Sequence, residues 1–62
     1  MFTKLGNYEI HKEKDCTIVI YQKENKYSFY VQKRNVTWHP MKSWRKIKEC
    51  KSHSINYVKN LN

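Results

Sequence analysis

Glycine and proline are almost missing from this chain: its 62 residues hold one of each. That excludes a glycine-rich phosphate loop, a flexible linker and any low-complexity tract. No apolar run approaches the roughly 20 residues of a bilayer span, and Met1-Phe-Thr-Lys-Leu-Gly6 has no continuous apolar stretch of the secretory type. The expectation is a cytoplasmic protein with no membrane partner. Acidic groups are also scarce. The five carboxylates are scattered among lysines, and so short a chain has little volume for a water-excluding pocket of ~300 Å³ or more. A Cys-His nucleophile pair would need an adjacency that the sequence does not show. The chain reads as no enzyme, with no catalytic residues.

Soft ligands are few as well. Cys16, Cys50, His11, His39 and His53 are the full set, and Cys50-x-x-His53 is the one closely spaced pair. Structural zinc usually joins two such pairs, so neither metal nor other cofactor is expected. A Cys16–Cys50 disulfide would suit an exported protein; without a secretory signal the default is two reduced thiols, with Cys16 a small buried hydrophobe.

What the chain has in plenty is positive charge, at a formal +8. Residues 1–32 carry five Lys against Glu9, Glu13, Asp15 and Glu24, a balance of +1; residues 33–62 carry eight Lys or Arg against Glu49, a balance of +7. Such asymmetry points to a polyanionic partner, nucleic acid first, with an anionic membrane surface or an acidic protein face behind it. Abundant Lys, Asn, Tyr and Ile suit an AT-rich genome, as in a phage or mobile element. With 39% hydrophobic and 15% aromatic residues the chain is too apolar and ring-rich to stay disordered. It makes one small basic domain over residues 1–62, near the lower size limit for an independent core.

The fold is organised by residues 16–33. Cys16-Thr-Ile-Val-Ile-Tyr21 and Tyr27-Ser-Phe-Tyr-Val-Gln32 are β-branched and aromatic, separated by polar turn residues. With Glu24-Asn25 as the loop, 20 faces 29, 18 faces 31 and 16 faces 33. Cys16, Ile18, Ile20, Tyr27, Phe29 and Val31 then share a core face, and Thr17, Val19, Tyr21, Ser28, Tyr30 and Gln32 the other. Lys4–His11 is expected to add a first strand through Leu5, Tyr8 and Ile10. Val36-Thr-Trp38 either extends the third strand past a bend or covers it irregularly. From Pro40 the spacing of Met41, Trp44 and Ile47 predicts a helix to about Lys51, with Pro40 at its first position; a strand over 44–50 is the alternative. Ser52 and Ser54 are N-cap candidates for a last helical segment carrying Ile55, Tyr57, Val58 and Leu61, which could also continue the preceding helix. The fold class is therefore α+β: a three-stranded antiparallel sheet with C-terminal helical structure on one face. A free strand edge would also allow pairing into a homodimer, which Lys residues near the edges oppose.

The basic and aromatic features converge on one function, a small nucleic-acid-binding protein with DNA ahead of RNA. Tyr21, Tyr30 and Gln32 offer stacking and hydrogen bonding on the uncovered face, with Lys23, Lys26, Lys33 and Arg34 around it, while Lys4, Lys12 and Lys59 lie elsewhere. Lys42, Arg45 and Lys46 form a second basic strip on the polar side of the expected helix. The rival is a small inhibitor that docks on an acidic host-protein surface through Trp38, Trp44 and Arg45, residue types enriched at interface hot spots. Three strands followed by a helix, with a basic sheet rim, also resembles the DNA-binding modules at the N-termini of some phage integrases and AP2-type domains. The resemblance spans residues 5–61 and includes no diagnostic motif. It implies a sheet face in the major groove and transfers no residue role.

Overall fold

A computed structural model describes residues 1–61 of the chain. Its order is β1 (Thr3–Leu5), β2 (Tyr8–Glu13), β3 (Cys16–Lys23), β4 (Lys26–Lys33), β5 (Val36–Trp38) and α1 (Ile47–Lys59). The strands form one antiparallel meander in sequence order, and α1 lies across β3 and β4.

The central hairpin has the expected register, with Ile18 opposite Val31 and Ile20 opposite Phe29, closed by Glu24-Asn25. The sheet, however, has five strands instead of three. The single strand expected over Lys4–His11 is two strands folded about Gly6-Asn7, since Leu5 pairs with Tyr8. Val36-Thr-Trp38 is neither a bent extension nor a loose cover: it turns back at Arg34-Asn35 and pairs with Val31–Lys33 as β5.

All four hairpins close through two-residue loops, and the first loop residue of each is left-handed: Gly6 at φ 62°, Lys14 at 57°, Glu24 at 59° and Arg34 at 56°. Positive φ here suits the right-handed twist of the flanking strands. Only Gly6 takes it without steric cost; for an L-residue the left-handed region costs about 1–2 kcal/mol.

The C-terminal half departs most from expectation. Trp44 does not lie in a helix: its N–H and C=O are both bonded to Tyr27, at 2.9 and 2.7 Å, as an isolated antiparallel bridge. A residue held in that bridge cannot take helical dihedrals, and Lys46 is still extended at φ −108°, ψ 131°. The helix therefore starts at Ile47, past Pro40, and runs unbroken to Lys59. Ser54 is a mid-helix residue instead of a cap, fully buried, with its hydroxyl donating to the Lys51 carbonyl at 2.7 Å.

Cys50, Ser54 and Val58 follow one another at four-residue spacing and are all buried. They press α1 onto Cys16, Ile18, Ile20, Phe29 and Val31, with Ile47, Ile55, Tyr57 and Leu61 at the margins. Two residues of this seam, Cys50 and Ser54, are small, so the helix fills little volume of its own against the sheet. Burying each large apolar side chain contributes ~1.5–3 kcal/mol, and in a domain this small few such contributions are spare.

The loops yield a test. Glu24→Gly and Lys14→Gly should each raise unfolding stability by about 0.5–1 kcal/mol, since relief of the left-handed penalty outweighs glycine's greater unfolded-state entropy. Gly6→Ala should lower it by about 1 kcal/mol. Urea midpoints measure all three; a loss of stability in Glu24→Gly would contradict the assigned turn conformation.

Candidate nucleic-acid interface

Alternation along the strands sorts residues between the helix side and an open side. Directly paired residues share a side, so the register defines rows that run across the sheet. On the open side one row is Leu5, Tyr8, Tyr21 and Ser28; the next is Thr3, Ile10, Val19 and Tyr30; a third is Lys12, Thr17, Gln32 and Thr37. Lys23 and Lys26 face each other at the hairpin end. Among the described residues, no strand residue on this side is acidic. The two strand carboxylates, Glu9 and Glu13, share rows with Ile20 and Cys16 on the helix side.

Both of those carboxylates are occupied. Glu9 accepts from the Lys51 ammonium at 2.6 Å, and that ammonium also lies 5.2 Å from the centre of the Phe2 ring. Glu13 takes a 3.0 Å hydrogen bond from His11 Nε2. This hydrogen bond is the main cause holding the Glu13 carboxyl below its ordinary value; desolvation opposes it, and the charges of His11, Lys59 and Lys14 add smaller downward pushes.

Two tyrosines of the open side form a pile with His39. Tyr21 and Tyr30 lie 6.1 Å apart, and the His39 ring stacks on Tyr30 at 5.2 Å and 24° while standing 6.5 Å from Tyr21. His39 is exposed, whereas both tyrosines are half-buried. Sequence reasoning missed His39 because nothing local distinguishes it; it reaches Tyr30 only because the chain leaving β5 folds back over the sheet.

That return also builds a groove. Continued without interruption, the β4–β5 register that pairs Val31 with Trp38 would bring Lys42 opposite Tyr27, yet Trp44 is the residue bridged there. Two surplus residues are therefore taken up between Trp38 and Trp44, and the segment stands out as a wall. Between it and the β3–β4 hairpin end lies an open groove of about 680 Å³ lined by Tyr21, Lys23, Lys26, His39 and Lys42, with Glu24 at its rim.

The expected cations divide between places. Lys23 and Lys26 stand on the open side and Lys42 on the groove wall, together with Tyr21, Tyr30 and Gln32. Lys33, opposite Val36 and in phase with Val31, alternates to the helix side instead of flanking the open face. Arg34 occupies the β4–β5 turn, just past the far end of the eight-residue β4 and about 26 Å along the chain from Lys26. Arg45 and Lys46 are exposed in the extended link before α1, so they are not on a helical face as expected. Lys12, expected to lie elsewhere, is on the open side opposite Thr17.

The indoles do not stand free. Trp38 packs on the core beside Val31, and Trp44 is sandwiched between Phe29 at 5.6 Å and His53 at 4.9 Å, both stacked. Arg45 alone of the expected docking residues is exposed.

Metal-type residues are not gathered. Cys50 is buried in the seam while His53 is exposed on Trp44, and among the described residues no group of three or more His, Cys, Asp or Glu converges. Likewise no described helix is long and apolar enough to cross a membrane. In comparisons with known proteins, no family model, no curated protein and no solved structure matches the chain.

Burial pushes the Cys50 thiol up to about 11, so thiolate is scarce at neutral pH and inaccessible. Treated with iodoacetamide at about pH 8, the folded protein should leave Cys50 unmodified, and the residue should label promptly in denaturant. Modification of the native protein as fast as a free thiol would contradict this packing.

Proposed function

We propose that the protein is a small, non-enzymatic nucleic-acid-binding protein, DNA ahead of RNA, that works through the open side of its sheet. The observation that supports it best is the placement of charge. The acidic strand residues face the helix, and Lys23 and Lys26 are held directly opposite each other on the open side. Like charges opposed across strands destabilise a sheet, so this pair is poorly explained by folding and well explained by a phosphate backbone that neutralises both. Tyr21, the His39 ring supported by Tyr30, and Gln32 supply the stacking and hydrogen-bonding groups beside the cations. The composition suits an AT-rich phage or mobile element, and the +7 of residues 33–62 adds long-range attraction.

The resemblance to integrase-type and AP2-type modules contributes little. Those have three strands before their helix, and this sheet has five.

A second reading has one observation in its favour. Leu5 and Tyr8 pair on the open side and remain 58% and 50% exposed, continuous with Ile10 and Tyr21, which is an apolar patch suited to a protein partner. On that reading the protein is an inhibitor docked on an acidic host surface. Capture of one stoichiometric protein from nuclease-treated lysate, abolished by Leu5→Asp, would favour it over nucleic acid.

The main reading is tested with labelled duplex and single-stranded DNA and RNA. Binding should weaken steeply with salt, and Lys26→Glu should weaken it further and shallow the log–log slope by about one unit for each phosphate that is no longer neutralised. The same substitution should leave the fold as stable as before or a few tenths of a kcal/mol more so. Lys4→Ala and Lys59→Ala should change affinity little. Equal losses from all these variants would mean diffuse attraction with no site, and no binding of any polymer at micromolar protein and low salt would end the proposal.

A further inference from the structure

We propose that the groove at the β3–β4 hairpin end receives a single-stranded stretch of nucleic acid, with an unpaired base laid on the outward face of His39. This rests on the nucleic-acid reading above and narrows it to one form of polymer and one place.

The ring geometry makes the first part of the case. His39 already stacks on Tyr30 at 5.2 Å, so Tyr30 has given one face to a protein ring and lies half-buried beneath it. The exposed member of the pile is His39, and its free face is the one a ligand meets. A flat, already supported ring gains stacking energy from an incoming base with little ordering cost, since Tyr30 holds it in place from below. Bases inside a duplex have both faces covered by their neighbours and cannot use such a platform.

Shape makes the second part. Elements that read duplex DNA protrude, because a helix or a two-stranded ribbon must enter the major groove. Here the wall formed by the surplus residues after Trp38 makes the surface concave, an open groove of about 680 Å³. A cleft of this kind accepts a flexible strand and blocks a cylinder's approach to the ring at its side.

Charge chooses the ligand class. Lys23 and Lys26 on one side and Lys42 on the wall face a channel whose only lining acid among the described residues is Glu24, in the hairpin loop. Three cations against one carboxylate suit a backbone that threads past them while its base turns inward to His39.

Fluorescence anisotropy with a labelled dT oligonucleotide of about twelve residues, the upper part of the span one small binding fold covers, set against a duplex of equal length at the same salt, tests the assignment. The single strand should bind more tightly. His39→Ala should lower its affinity by about 5-fold or more, the range for removing one base stack, leave duplex affinity unchanged, and be rescued by His39→Phe, which keeps the ring. Glu24→Gln should tighten single-strand binding. His39 is exposed, so an unchanged urea midpoint will show that the variants are folded. Duplex binding equal to or tighter than single-strand binding, or a His39→Ala variant that affects both alike or neither, would overturn this inference and leave the broader reading standing. Failure to bind any nucleic acid would overturn both.

Discussion

The register of the β3–β4 hairpin is the constraint on which the molecule depends. Ile18 opposite Val31 and Ile20 opposite Phe29 give the sheet one side that must be covered, and the neighbouring hairpins then propagate the same phase to every other strand. A slip by one residue would carry these four side chains into solvent and bring Tyr21, Tyr30 and the opposed lysines under the helix. Register thus determines the distribution of charge as well as the position of the core: Glu9 and Glu13 are removed from the open side by the same alternation that buries Ile18. The electropositive face is a geometric consequence of where the apolar residues have to go.

Covering the helix side takes more than α1. The helix contributes a narrow seam of Cys50, Ser54 and Val58, which is small in volume, and the aromatic series Tyr57, Phe29, Trp44 and His53 fills the space beside it, with Tyr57 meeting Phe29 edge-on at 5.7 Å. Trp44 has two roles. Its ring extends the core outward, and its backbone bridge to Tyr27 anchors the chain just after the segment that walls the groove. Groove and core are therefore mechanically joined: the stack that stabilises the domain also fixes one end of the wall on which Lys42 stands.

Much of this is readable from the chain, and the failures have definite causes. The central hairpin is legible because eight-residue strands show alternation long enough to fix phase. β1 and β5 have three residues each, too few for periodicity to register. Their turns do leave a signal, since every loop ends in Asn or Asp, at Asn7, Asp15, Asn25 and Asn35, residues whose side chains bond local backbone in tight turns. At Asn25 long alternating runs on both sides turn that signal into a hairpin, whereas at Asn7 and Asn35 a three-residue strand on one side leaves it unread. The helix is misplaced from sequence because Met41, Trp44 and Ile47 happen to share three-residue spacing although Met41 is solvent-exposed and Trp44 is strand-like. The true helical stripe, Ile47, Cys50, Ser54 and Val58, is interrupted by a buried polar serine, so apolar spacing alone does not trace it. Of the candidate site, the open face with its tyrosines and Lys23 and Lys26 is legible from alternation alone. His39 and the groove depend on a tertiary fold-back of the chain, which no local pattern encodes.

The central claim is that partners meet the open side of the sheet while the helix serves only to cover the other. Amide chemical-shift mapping on the isotope-labelled protein, titrated with an oligonucleotide at low salt, addresses it residue by residue. The account predicts the largest changes at Tyr21, Lys23, Lys26, Ser28, Tyr30 and His39, with Cys50 to Val58 nearly unmoved. Largest changes along Ile47–Lys59, or small ones spread evenly over every lysine, would contradict it.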